Sequence, residues 1–177
     1  MKVNLGCGED YKEGYVNCDK SNKVRADKII DIEKKLPFKD NSVDKVVAYH
    51  VLEHVNNLVE LMKEIHRICK NDSIMKIRVP FYNSPGAYTD PTHVRFFSVD
   101  SFDYLDCTNN PWQVDINGKM FSSSCDIVYS TGKYIRVFNP IFNVFVNFNR
   151  FTQRIYQKFL SGVIIADEIE FDLQVMK

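Results

Sequence analysis

The sequence predicts an α/β domain built on a doubly wound, mostly parallel sheet, and three observations carry that reading. The chain opens on a short apolar strand, Lys2-Val3-Asn4-Leu5, that breaks at once into Gly6-Cys7-Gly8 followed by Glu9 and Asp10. Strand-like apolar runs then recur through the first two thirds of the chain, separated by crossovers, which is the βαβ pattern. Residues 51–70 add an amphipathic helix period that runs straight into a further strand signal at Ile74–Pro80. With 177 residues, 45% hydrophobic and 26% charged, the chain is of a size and composition to form one globular domain.

Taken in order, the first strand ends in Gly-x-Gly, which lets the backbone approach a ligand with no Cβ in the way. A phosphate-cradling loop would need Lys-Ser/Thr downstream, and none is present. A dinucleotide fingerprint would place a third glycine where Tyr11 stands, and Glu9 and Asp10 would repel a pyrophosphate. The expected ligand therefore carries little negative charge. Tyr15–Asp19 reads as a second strand ending in an acid. Only ten residues separate Gly8 from Asp19, too few for a crossover helix and a strand, so the first helix is reduced.

Ala26–Ile32 reads as strand three, containing Asp31, and Lys45–Tyr49 as strand four, running into His50-Val51-Leu52-Glu53-His54-Val55. The helix of 51–70 points Val51, Leu52, Val55, Leu58, Val59, Met62, Ile65 and Cys69 inward, and Asn71-Asp72-Ser73 breaks it before strand five. Residues 81–98 form a long Pro-, Gly- and Tyr-rich loop, the kind that makes lids and substrate contacts. A short helix is expected from Ser98 through Leu105, a turn at Asn109-Asn110-Pro111, and late strands at Cys125–Ser130 and Ile165–Val175.

Between those strands, Asn139-Pro140 offers a cap and a first helical position. Ile141, Phe142, Phe145, Phe148, Thr152, Ile155, Tyr156 and Phe159 follow at helical spacing, with Arg150, Arg154 and Lys158 on another stripe. This predicts a helix over 139–160 whose aromatic face is buried on the sheet; a homodimer face and a membrane-surface helix are the alternatives.

As an ordered set, Val3–Glu9, Val16–Asp19, Asp31, Leu36-Pro37-Phe38 through Ser42-Val43-Asp44, and His50–Val55 resemble class I S-adenosylmethionine-dependent methyltransferases. The "methyltransferase type 11" group is the most similar, and the resemblance covers residues 1 to about 105. It implies a Rossmann-like fold, a single methyltransferase-like domain over 1–177 with 81–98 as acceptor loop and 139–160 as an inserted aromatic helix, and S-adenosylmethionine as cofactor. It places Gly6, Cys7 and Gly8 at the methionyl portion, Asp19 on the ribose hydroxyls and Asp31 by the adenine amino group. Asn4 stands where most members carry an acid, which removes one carboxylate contact toward the methionyl amine. Cys7 is better explained by small-residue packing than by reactivity.

In an open α/β sheet ligands bind where the winding reverses. In this topology that point lies between the ends of strands one and four, so Tyr49 and His50 should face the reactive sulfonium or the acceptor. His93, in Thr89–Phe97 of the acceptor loop, is the candidate base for an acceptor proton, with His50 lining the same cavity and Tyr82, Tyr88 and Phe96 able to close over it. A hydroxyl on a small molecule is the favoured acceptor; the resemblance supplies neither the Pro-Pro-aromatic run of amide methylation nor the Cys-Pro of cytosine methylation.

His50-Val51-Leu52-Glu53-His54 also matches H-x-x-E-H, the inverted zinc-peptidase signature. That chemistry needs both histidines on one helix face, whereas His50 ends a strand, so no metal is expected. A zinc hydrolase using His50, Glu53 and His54 and a cofactor-binding module without activity are the rival readings. Equal numbers of acidic and basic residues argue against a surface built for nucleic acid. No signal peptide or membrane-spanning stretch is expected, and five cysteines without C-x-x-C read as reduced thiols of a cytoplasmic protein.

Overall fold

The computed structural model describes residues 1–105, 116, 119–128 and 139–177. Among the described residues seven strands form one sheet: β1 (Lys2–Leu5), β2 (Val16–Asp19), β3 (Lys28–Ile29), β4 (Val43–Tyr49), β5 (Cys69–Pro80), β6 (Lys119–Val128) and β7 (Glu168–Met176). Their spatial order is β3-β2-β1-β4-β5-β7-β6. The first five run parallel, and β7 lies antiparallel between β5 and β6. This is the doubly wound, mostly parallel architecture, with its reversal between β1 and β4.

The helices are α1 (Leu58–Ile68), α2 (Gly86–Thr89), α3 (Asn139–Val146) and α4 (Arg150–Ile155), the last continuing into a π-turn at Tyr156–Leu160. α1 presses Leu61, Met62, Ile65 and Ile68 onto the sheet, where Val3, Leu5, Val46, Ala48 and Ile77 share one core with them. At about 1.5–3 kcal/mol per buried aliphatic side chain, these four alone contribute a gross 6–12 kcal/mol. Among the described residues no helix is long and apolar enough to cross a membrane.

No helix forms between β1 and β2. Asn17, fully buried in β2, does the work of a crossover: its Oδ1 accepts from Lys12 N (2.9 Å) and Asn4 Nδ2 (3.0 Å). Its Nδ2 donates to the carbonyls of Lys12 (3.0 Å) and Tyr15 (3.1 Å) and to the Asp27 carboxylate (3.1 Å). One amide thus satisfies the backbone of a loop too short to satisfy itself.

Several elements differ from expectation. Strand three is two residues, not seven, because the chain leaves the sheet before Asp31. The predicted helix of 51–70 is two pieces: a 3₁₀ turn at Leu52–His54, then α1, which starts afresh where the Asn57 side chain accepts from Glu60 N. The break expected at Asn71–Ser73 is a bulge inside β5, with Asp72 in the left-handed region at φ 62°. The helix expected from Ser98 is a single 3₁₀ turn at Asp103–Leu105, and the turn at Asn109–Pro111 and the end of the strand at 129–130 lie outside the described residues.

The segment 139–160 is likewise not one helix. Asn147 interrupts it by bonding both N–H and C=O of Ile127 at 2.8 Å, so its amide covers part of the β6 edge, and Asn149 restarts the chain with a capping box to Thr152. Nor is the aromatic face buried: Val146, Gln153 and Tyr156 point inward, while Phe145, Phe148, Phe151 and Phe159 are 64–77% exposed. The interruption rotates the second half, so helical spacing across it no longer describes one face. The side chains of Asn139, Pro140 and Ile141 lie outside the described residues.

Candidate functional site

β1 and β4 pair in register through Leu5 and Ala48, so Gly6 and the Tyr49-His50 pair leave the sheet side by side. Gly6 turns in the left-handed region at φ 64°, and a Cβ there would lie 2.4 Å from Val51 Cγ2. Gly6 is therefore required both by its dihedral and by the close passage of Val51. His50 is left-handed too (φ 51°), with its N–H donating to the Arg78 carbonyl at 2.8 Å. That kink stops β4 and aims the next turn across the glycine loop.

The Asp19 carboxylate, at the end of β2, accepts from Gly8 N through Oδ2 and from Ser21 N through Oδ1, both at 2.8 Å. Each oxygen keeps a lone pair for a further donor. A cleft opens beside it, lined by Gly6, Asp19, Ile30, Asp31, Val51 and His54, with apolar Ile30 and Val51 as walls for a flat ring. Gly6, Asp19 and Asp31 are thus brought together on one cleft.

The other expected residues do not line the cleft: Gly8 meets it only through its N–H to Asp19, His50 faces a second cavity, and Asn4, Tyr49 and Cys7 sit apart. Asn4 is 2% exposed, and its amide is committed to the Asp10 carbonyl (2.8 Å) and Asn17, which makes it part of the loop fastening rather than of the cavity wall. Tyr49 lies under cations, with Lys12 4.9 Å and Arg78 4.8 Å from its ring centroid. Cys7 is buried, and burial pushes its thiol up, which suits a packing role. Burial likewise pushes Cys18, Cys69 and Cys125 to about 12, so these free thiols are inert; Cys107 lies outside the described residues.

On the other side of the Leu52–His54 turn lies a second cavity, lined by His50, Glu53, His54, Asp90, His93 and Glu168 among others. His54 borders both cavities. The loop bearing His93 is laced to the turn: Val94 N donates to the Glu53 carbonyl (2.9 Å), and Arg95 reaches the carbonyls of Val55 and Asn56. Tyr82 is tied to Ser161 at 2.7 Å, while Tyr88 and Phe96 stack at 4.7 Å on the exposed rim.

The two predicted histidines do line one cavity, in different settings. His50 stands between two carboxylates, 3.6 Å from Glu53 Oε1 and 3.1 Å from Glu168 Oε1. Its hydrogen bond with Glu53, foremost, and the charge of Glu168 raise its pKa against the opposing effect of burial. His93 is nearly buried, its Nδ1 3.1 Å from the Ala87 carbonyl and its Nε2 4.0 Å from Asp90. His54 turns away from His50 and meets His93 edge to face at 4.7 Å. The H-x-x-E-H histidines therefore do not converge, because His50 ends a strand in a left-handed kink while His54 closes a 3₁₀ turn. Glu168 was missed by sequence reasoning: it arrives from β7, and no local signal links it to His50.

Residues 5–77 match the model of a methyltransferase domain family. A stretch of 125 residues is 34% identical to an uncharacterized protein of Methanocaldococcus jannaschii, covering 58% of this chain and 54% of that protein. The chain thus spans about half the length of the curated relative it matches. Among solved structures, it is similar to a SAM-dependent methyltransferase from Archaeoglobus fulgidus (TM-score 0.61, 14% identity, covering 98% of this chain and 85% of that one). A methyltransferase from Mesorhizobium loti is similar as well (TM-score 0.58, 11% identity, covering 98% and 90%).

Proposed function

We propose that this chain is a class I S-adenosylmethionine-dependent methyltransferase that moves a methyl group to a hydroxyl of a small molecule held in the cavity of His50 and His93. The observation that supports this best is the meeting of two cavities at one residue. The cleft of Asp19 and Asp31 and the cavity of His50 and His93 share His54 as a common wall.

The residues present fit the cofactor. Asp19 has lone pairs left for the two ribose hydroxyls, Gly6 and Gly8 would leave the methionyl portion a backbone without Cβ atoms, and Asp31, on the same cleft, offers a carboxylate that would accept from an exocyclic amine. S-adenosylmethionine supplies an electrophilic methyl; the protein holds acceptor and cofactor in line and excludes water from between them. His93 and His50 face the acceptor side, where a hydroxyl loses its proton. The buried, inert thiols suit a cytoplasmic setting.

Calorimetry with S-adenosylmethionine, followed by a screen for released S-adenosylhomocysteine across alcohols, phenols and amines, tests the reading. Asp19→Ala should weaken cofactor binding by about 1.5–3 kcal/mol, roughly 10- to 150-fold. Unchanged affinity would remove Asp19 from the site, and turnover only on amines would move the acceptor class. A second reading, a binding module without activity, draws on the commitment of Asn4 to the Asn17 network, which leaves no carboxylate before the glycines. Tight binding with no release on any acceptor would favour it.

A further inference from the structure

We propose that Glu53, His54 and His93 form a binding site for one divalent transition cation of the zinc or manganese class, at the wall between the two cavities. The three residues each present a ligand atom, all within 4.8 Å of one another. Two imidazoles and one carboxylate are a donor set for such a cation, and three protein ligands leave positions open to water or an acceptor oxygen.

The hydrogen bonds around the cluster prepare it. His93 Nδ1 faces the Ala87 carbonyl, which can only accept, so Nδ1 carries the proton and Nε2 keeps its lone pair. Thr92 Oγ1 lies 2.7 Å from an Asp90 carboxylate oxygen and 2.9 Å from His54 Nδ1. The hydroxyl proton goes to the carboxylate, so Thr92 accepts from His54 Nδ1–H and the Nε2 lone pair of His54 is left for a ligand. Both rings are thus held by an outer partner on one nitrogen and open on the other, as metal-bound histidines are.

The independent observation is Glu53. The residue is 1% exposed, and its Oε2 has no hydrogen-bond partner among the described residues, while Oε1 is turned to His50. A buried carboxylate oxygen without a donor is costly unless something positive meets it. Coordination at ordinary bond lengths needs ligand atoms about 3.3 Å apart, so the side chains must draw in by about 1 Å or more, a movement within reach of χ rotations.

This cluster is not the H-x-x-E-H triad: His50 belongs to Glu168, and the third ligand comes from the acceptor loop. The site stands on its own geometry and needs no cofactor to bind its ion. Where an acceptor hydroxyl is also present, the cation would acidify it and His93 would serve as ligand instead of base.

The test is metal binding to the chelator-treated full chain, using Co²⁺ followed by its visible spectrum and Zn²⁺ by equilibrium dialysis with elemental analysis. One ion per chain is expected, with affinity lowered at least 10-fold in both Glu53→Gln and His93→Ala at unchanged circular dichroism. Should either variant fail to fold, His54→Gln, at the partly exposed side of the cluster, must show the same loss. Asp19→Ala should bind the ion as the parent does. Substoichiometric binding, or binding that Glu53→Gln, His93→Ala and His54→Gln leave intact, means an adventitious ion only and overturns the proposal. Measuring S-adenosylmethionine binding on the same preparations separates the two readings. Metal bound without cofactor would sink the transferase and keep the site; cofactor bound without metal would do the reverse.

Discussion

Replacing Gly6 by alanine tests the geometry on which the site depends. Two costs add. An alanine at φ 64° occupies the left-handed region, at about 1–2 kcal/mol. Its Cβ would also lie 2.4 Å from Val51 Cγ2 and 2.7 Å from Val51 Cβ. The second atom is anchored to the backbone, so rotating the valine cannot clear it, and overpacking of this kind costs roughly 1–3 kcal/mol. The sum, about 2–5 kcal/mol, is a large part of the ~5–15 kcal/mol that holds a domain together. For a chain of this size it should lower Tm by roughly 4–20 °C. Thermal unfolding of Gly6→Ala, Val51→Ala and the double variant separates the terms. Val51→Ala removes the two Cγ atoms but keeps the Cβ at 2.7 Å, so it should recover only part of the packing cost and leave the dihedral strain, a favourable coupling of about 1 kcal/mol. Gly8→Ala, with no atom within 4 Å of its Cβ, should show strain alone. A Gly6→Ala penalty within about 0.5 kcal/mol of zero, or one that Val51→Ala leaves unchanged, would refute the reasoning.

Asn17→Ala removes five side-chain bonds from the loop between β1 and β2 and should destabilise the fold by roughly 3–5 kcal/mol in denaturant titration; a loss under about 1 kcal/mol would show the loop to be held by other means. Glu64 accepts from Arg67 and from Leu36 N, and the Arg67 hydrogen bonds, foremost, lower its pKa. A depressed carboxyl contributes stability above its unfolded value near about 4.3 and loses it as pH falls through the folded one. Glu64→Gln should therefore cost roughly 1–2 kcal/mol at neutral pH, and the Tm gap to the parent should close below about pH 4. The exposed face of Phe145, Phe148, Phe151 and Phe159 should drive self-association in preference to lipid binding, because Arg150 and Arg154 beside it are already paired with Asp103 and Asp100. Sedimentation velocity should show a dimer that Phe148→Ser with Phe151→Ser dissolves; a parent monomeric at every concentration, or one that sediments with anionic vesicles at low salt, would contradict this.

The local chemistry of the chain was legible without its fold. Gly6 and Gly8 after an apolar strand, an acid at position 19 closing the next one and an apolar stripe through Leu58, Met62 and Ile65 are short-range signals, since dihedral need and side-chain period act over a few residues. They sufficed for the parallel sheet and the reduced first crossover, while the reversal between β1 and β4 was implied by the family resemblance. Placement of the site's far side was not legible. Which carboxylate meets His50 depends on β7 pairing antiparallel with β5, so Glu168 comes from the opposite end of the chain. The meeting of His54 with His93 depends on one backbone bond, from Val94 N to the Glu53 carbonyl, and on the Arg95 side chain reaching the carbonyls of Val55 and Asn56, which together lay the loop bearing His93 on a 3₁₀ turn. The aromatic segment misled for a related reason: one amide, Asn147, found its partner on the edge of β6, and that long-range bond outweighed the helical period around it. Periodicity determines what a segment can form, while hydrogen bonds between residues distant in sequence decide where it stops and which of its side chains meet.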